Sequence, residues 1–155
     1  MEGIKDTYYI TTDKDKINIP YTHRFLSTES YWAQHIPLEV VERSIEGSLC
    51  FVVLYGDTQV GFARVVTDGA TFAYLADVFI DRAHRGKGLS KWLMQEILNY
   101  PSLQGLRRFM LATRDAHELY KQYGFGPLTF TDRWMQIHQP NVYPQPLKGS
   151  LDREA

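Results

Sequence analysis

The nine residues "HRGKGLSKW" at 84–92 hold the densest chemical pattern in the chain. Arg85, Lys87 and Lys91 surround two glycines, Gly86 and Gly88, and apolar residues at helical spacing follow at once. A helix start leaves about four backbone N–H groups without internal partners, and its dipole adds roughly half a positive charge. Glycines at that point let a bulky anion approach the backbone without meeting a Cβ. The arrangement suits an anion of the phosphate type. It is not a Walker A loop, because no Gly-Lys-Ser/Thr closes a four-residue gap after a glycine. Nor is it a full dinucleotide fingerprint, since Lys91 stands where the third glycine would fall. The plain alternative is a tight turn with a solvated basic face.

A second group of residues lies downstream in "ATRDAHELYKQYGF", 112–125. It carries two tyrosines, Tyr120 and Tyr123, and a phenol titrating at about 10 is protonated at neutral pH and can donate to a basic group beside it. His84 and His117 sit near the two motifs, but nothing pairs them at metal-ligand spacing, and no metal is expected. Cys50, the single cysteine, lies in the apolar run "LCFVVLY" and reads as a buried thiol rather than a nucleophile.

These groups must be positioned by one domain. A length of 155 residues with 44% hydrophobic and 23% charged residues describes an ordinary globular chain with a sizeable core. A net charge of −1 gives no general attraction to nucleic acid or to an anionic membrane, so any anion site is local. No apolar run approaches the ~20 residues of a membrane helix. The opening "MEGIKDTYYI" lacks the apolar stretch of a signal peptide, and a cytoplasmic location is expected.

The elements follow from periodicity. "TYYITT" reads as a strand, and "NIPYTHRFLSTESYWAQHIP" as helical fragments broken by Pro20 and Pro37. "PLEVVERSIEG" is a helix with Leu38, Val41 and Ile45 on one face, Pro37 near its start and Gly47 at its end. "LCFVVLY", "QVGFARVVT" and "ATFAYLADVFI" are three strands, joined through Gly56-Asp57 and Asp68-Gly69 as an antiparallel meander. "GLSKWLMQEILNY" is an amphipathic helix stopped by Pro101, and "RRFMLAT" a short strand. "RDAHELYKQYG" is a second such helix, capped by Thr113 and Gly124, with Ala116, Leu119, Tyr120 and Tyr123 on one face. "GPLTFTDRWMQIH" is expected to add two final strands or one bent strand. A strand leading through a helix into another strand implies a parallel crossover, hence an α/β mixed sheet.

Two motifs carry a family resemblance. "RGKGLS" at 85–90 is similar to the Arg/Gln-x-x-Gly-x-Gly/Ala signature of the GNAT superfamily of acyl-CoA N-acyltransferases. "LYKQYGF" at 119–125 resembles that family's second signature, a tyrosine-bearing helix ending in Gly-Phe. The strand "FMLAT" between them fits as well. The likeness covers roughly residues 49–137, with residues 1–48 fitting as the family's variable first strand and helices. Ser90 departs from the usual Gly or Ala, and Thr113 stands where many members carry an asparagine facing the pantetheine arm.

The resemblance implies one N-acetyltransferase domain over residues 1–139; the tail that follows, 140–155, is rich in proline and polar residues and is expected to pack loosely. It implies a mixed, mostly antiparallel sheet flanked by helices, with a splayed parallel strand pair forming the acyl-CoA cleft. Acetyl-CoA would be the co-substrate. Backbone groups of Val78, Phe79 and Ile80 would meet its pantetheine arm, and Arg85, Gly86, Lys87, Gly88, Leu89 and Ser90 its pyrophosphate. Tyr120 occupies the position of the general acid that serves the leaving thiolate. Asp77 or Tyr74 is the candidate base; strict alternation sets them on opposite faces, so at most one faces the acceptor, and a water chain is the other route. Tyr31 and Trp32, with Glu29, are the candidate acceptor contacts. The expected reaction is direct acetyl transfer to a primary amine of a small molecule or protein in a ternary complex. Two other readings stand beside it: an inactive acyl-CoA-binding sensor, and a nucleotide- or RNA-binding domain that the missing basic stripe disfavours. A homodimer through the C-terminal strands or tail is compatible with the sequence.

Overall fold

The apolar runs assemble into one six-stranded sheet in the order β1-β2-β3-β4-β5-β6, seen in a computed structural model that describes residues 7–144 in full and residues 3–5 as backbone. The strands are β1 (Gly3–Lys5), β2 (Tyr8–Thr11), β3 (Leu49–Tyr55), β4 (Thr58–Thr67), β5 (Phe72–Ile80) and β6 (Arg108–Leu111). The first five pair antiparallel, and β5 and β6 run parallel. The crossover between β5 and β6 carries α3 (Leu89–Leu98). On one face α3 buries Leu89, Leu93, Met94 and Ile97 against Phe51, Val53, Ala73 and Leu75. On the other face α1 (Ile19–Arg24), the π turn Phe25–Glu29 and α2 (Leu38–Glu46) cover Cys50, Phe62 and Phe79. Phe25 stacks on Phe79 at 3.8 Å. Buried from Cys50 to Leu54, β3 is covered on both faces, and that burial pushes the Cys50 thiol up to about 11. It is a core residue, as its apolar neighbours imply.

The meander turns form as read. Gly69 adopts φ +72°, and the Asp68 carboxylate accepts the N–H groups of Ala70, Thr71 and Phe72. Pro20 differs from expectation. It sits in the first turn of α1, where its missing N–H costs nothing, and the Asn18 side chain caps the Tyr21 N–H. It starts a helix rather than breaking one. Leu38 also differs, remaining exposed while Val41 and Ile45 go inside.

The larger correction concerns residues 126–138, which form no strand. Pro127 lacks an N–H, Phe130 takes φ +54°, and Thr131–Arg133 close a 3-10 turn. Alternating apolar residues become a strand only where a ladder partner is present, and this segment pairs with none. Within the expected tail, Tyr143 packs against the α2 side of the core; residues 145–155 of that tail lie outside the described residues.

Candidate functional site

The parallel pairing of β5 and β6 ends early. Its last matched residues are Leu75 and Leu111, and beyond them the strands separate. The gap opens into a cleft of about 380 Å³, walled by Ala76, Asp77 and Val78 on one side and Leu111, Ala112 and Thr113 on the other. The side of β5 from 76 to 80 that faces away from β4 therefore has no strand partner among the described residues. Its main-chain groups can pair with an extended ligand as they would with a strand. The side chains of Phe79 and Ile80 are buried, so any ligand contact there is through backbone.

The strand also bulges where it faces the cleft. Its register with β4 runs from Phe62↔Phe79 to Arg64↔Ala76, leaving Asp77 and Val78 opposite Ala63 alone. Asp77 takes φ +55°, a left-handed conformation that aspartate tolerates better than most residues. Its carboxylate is held twice: Arg64 Nε donates to Oδ2 at 2.8 Å and Trp32 Nε1 to Oδ1 at 2.8 Å. The bulge overturns the alternation argument. Asp77 and Tyr74 both line the cleft, because the extra residue restores them to one face.

Downstream of β5 the chain is braced before it reaches the glycines. Asp81 accepts the Ala83 N–H and the Tyr21 hydroxyl, and the Tyr8 hydroxyl bonds His84 Nδ1 at 2.8 Å. Burial, with the Asp81 contact second, raises the Tyr21 hydroxyl above the usual phenol range, so it stays a donor. Arg85 Nε donates to the Ile80 carbonyl at 2.9 Å, folding the loop back onto the end of β5. Gly86 and Gly88 then take φ +79° and +78°, and Gly88 immediately precedes α3, where it has no side chain to cap the helix. Both conformations disfavour a side chain. Leu89 is buried, so only its backbone faces the loop, while Gly86, Lys87 and Gly88 are exposed. The loop thus presents an uncapped helix N-terminus with cations beside it, at the end of the splayed strand.

The short helix α4 (His117–Lys121) supplies the remaining wall. It starts three residues later than the sequence suggests. Arg114 N–H goes to the Tyr31 hydroxyl, while Thr113 Oγ1 accepts the Ala116 N–H, so the expected cap closes a turn before the helix. Tyr120 is 8% exposed and lines the cleft. Its hydroxyl makes no hydrogen bond among the described residues, and burial, with nearby Tyr31 second, raises it from the ordinary phenol value. It is a protonated donor with an open direction.

Tyr31 and Trp32 are 42% exposed and stand at the cleft mouth rather than in the core. The Arg114 guanidinium lies 3.9 Å over the Tyr31 ring. Glu29 ends the π turn and is exposed. Arg64 and Tyr143 are among the lining residues that escaped the sequence reading. Arg64 had a signal, a charge in the middle of the apolar strand "QVGFARVVT", which burial requires to be paired. Tyr143 had none, since it reaches the cleft from far along the chain. Among the described residues no group of three His, Cys, Asp or Glu side chains could hold a metal ion. No helix among them is long and apolar enough to cross a membrane.

Known proteins share this fold. The profile of the acetyltransferase (GNAT) family matches residues 16–125. A Gibberella zeae protein named "Putative acetyltransferase FG08082" is 34% identical over 135 residues, covering 73% of this chain and 75% of that protein. A Xanthomonas campestris crystal structure, described as a "putative acetyltransferase belonging to the gnat family", is 48% identical with a TM-score of 0.89. That match covers 92% of this chain and all of the other. A GNAT family acetyltransferase of Elizabethkingia anophelis, crystallised with acetyl-CoA bound, shares the fold at 15% identity and a TM-score of 0.60, over 88% and 91% of the two chains.

Proposed function

This chain belongs to the GNAT acetyltransferase family, and on that premise we propose that it transfers an acetyl group from acetyl-CoA to a primary amine by direct attack in a ternary complex. The observation that carries the reading is the early end of the β5–β6 ladder, with an unpartnered Tyr120 hydroxyl beside the gap. The pantetheine arm runs along residues 78–80, and the Arg85–Ser90 loop receives the pyrophosphate through backbone N–H groups and local charge. Arg85 acts partly by holding the loop to Ile80.

In the chemical step the amine nitrogen attacks the thioester carbonyl carbon, forming C–N and then breaking C–S. A backbone N–H at the Asp77–Val78 bulge meets the developing oxyanion. The departing thiolate, comparable to a thiol of pKa about 8.5, takes the Tyr120 proton, and the tyrosinate regains one from the nitrogen, which sheds its second proton as the amide forms. An alkyl amine of pKa about 10.4 is only about 0.04% neutral at pH 7, so its proton must be removed before attack. Both Asp77 oxygens already hold partners, so Asp77 shapes the bulge, and the amine's proton passes to water at the open mouth by Tyr74. Tyr31 and Trp32 offer aromatic faces to the cationic acceptor.

The test is calorimetric titration of acetyl-CoA, followed by thiol release with a panel of alkyl, aryl-alkyl and peptide amines. Micromolar binding and at least one acetylated product are expected. Absence of acetyl-CoA binding overturns the cleft reading; binding without release across the panel turns it into a sensor.

A further inference from the structure

Arg64 has more donors than partners. It lies within β4, its side chain 18% exposed, and lines the cleft between β5 and β6. Its Nε donates to Asp77 Oδ2 at 2.8 Å and its Nη1 to Ser48 Oγ at 3.1 Å. A guanidinium has five N–H donors and stays charged at any working pH. Both N–H groups of Nη2 are therefore without a partner among the described residues. No buried side-chain nitrogen or oxygen among those residues lacks a hydrogen bond, so Nη2 reaches open space, and the space Arg64 lines is the cleft.

The surrounding charges decide what meets it. Asp77 and Asp115 are the acidic residues among those lining the cleft. Asp77 has both oxygens engaged, while the Asp115 side chain is 65% exposed and lies 3.7 Å from Arg114. The interior thus holds a largely buried cation with spare donors, and among the described residues no carboxylate there has an unengaged oxygen. A polyamine would set a second positive charge against Arg64. A planar carboxylate matches the guanidinium edge and takes parallel hydrogen bonds from it. Ala33, Ile36 and Val40 give the same cleft an apolar wall.

We propose that Arg64 selects the acceptor, binding the carboxylate of a free amino acid with an apolar side chain, whose amine is the group acetylated. The inference rests on the acetyl-transfer reading of this cleft and narrows its substrate. Arg64 Nε holds the residue that forms the bulge, so a carboxylate on Nη2 lies beside that bulge. The amine of the same small molecule then meets the thioester there, and its side chain lies along Ala33, Ile36 and Val40. C–N forms, C–S breaks, and one nitrogen proton ends on the leaving sulfur by way of Tyr120. The carboxylate only binds.

The experiment is thiol release under saturating acetyl-CoA from leucine, methionine and phenylalanine, each against the amine that lacks its carboxylate. Those amines are 3-methylbutylamine, 3-methylthiopropylamine and 2-phenylethylamine. For at least one pair, kcat/KM counted on the neutral amine should favour the amino acid about a hundredfold, because the analogue leaves the Arg64 donors unpaired. Arg64→Lys keeps a cation near Asp77 but loses the planar fork, and should cut that preference at least tenfold, mostly through KM. If that variant fails to fold, the wild type answers alone. The amine-free acid of the preferred pair, 4-methylpentanoate for leucine, should compete with the acceptor, and its amide should not. Amines used as well as their amino acids overturn the assignment and leave acetyl transfer standing. A preference that survives in Arg64→Lys overturns it too, since another group would then hold the carboxylate. So does acetyl-CoA bound with no amino acid acetylated, whereas a protein that fails to bind acetyl-CoA loses the cleft reading itself.

Discussion

Tyr120 and Asp77 face one cleft, and their different partners suit them to opposite parts in the proposed reaction. Tyr120 is buried without a hydrogen bond, so its proton is available; Asp77 has both oxygens engaged, so it cannot readily take one. Tyr120→Phe removes the donor and keeps the ring packed against Phe125. It is expected to lower kcat about a hundredfold while acetyl-CoA affinity stays within about twofold, read by thiol release and calorimetry. The raised value of Tyr120 fixes the pH sign. The hydroxyl stays protonated through and beyond neutrality, so activity should rise with pH as the acceptor amine deprotonates. Any fall caused by loss of the acid begins above the ordinary phenol value of about 10. A rising limb lost in Asp77→Asn would make that carboxylate the base instead. Asn keeps the left-handed φ and the Trp32 bond but gives up the charge of the Arg64 pair. The expected result is therefore an unchanged pH profile with stability lowered by about 2 kcal/mol, measured by urea unfolding.

At the scale of elements, β5 is gripped by neighbours that leave no spare room. A Cβ on Gly61 of β4 would lie 2.8 Å from Ile80 Cδ1 and 3.0 Å from Val53 Cβ, atoms of the strands on both sides. Gly61→Ala should cost about 1–3 kcal/mol of overpacking and lower the melting temperature by several degrees. Gly47→Ala, whose nearest neighbour would be 3.7 Å away, should stay within about 0.5 kcal/mol. The helices and meander were legible because each has its own period: Leu89, Leu93 and Ile97 mark one helical face whatever lies opposite. The bulge at Asp77 was not, because it is a property of two strands in register, and one strand's alternation cannot report it. Arg64 came nearest to disclosing it, being a charge in an apolar strand that needed an acidic partner nearby. Residues 126–138 misled in the opposite sense. Their alternation was real, but a strand also needs a ladder partner, and these residues pair with none among the described residues.

For the molecule as a whole, the sheet is covered on both faces, α3 on one and α1 with α2 on the other, while its last seam holds only four residue pairs. β5 contributes to both cores: Ala73 and Leu75 face α3, and Phe79 faces Phe25. β6 has no such double cover; Phe109, Met110 and Leu111 are only half-buried. Opening should therefore start between β5 and β6, at the cleft itself. A ligand lying in that gap bridges the weak seam and stabilises the folded state by mass action, by about 2.7 kcal/mol at a hundred times its Kd. At about 2–4 °C per kcal/mol for a chain of this size, acetyl-CoA should raise the melting temperature by roughly 5–10 °C. Tyr120→Phe should show the same rise, since it leaves the binding groups in place. Gly88→Val, which puts a β-branched side chain at φ +78° where the phosphate would approach, should lose most of it. A shift that survives Gly88→Val would move the anion away from the loop at 85–90 while leaving the cleft intact. A shift lost in Tyr120→Phe would make that hydroxyl a binding group, and its part in the chemistry would have to be argued again from the rate alone.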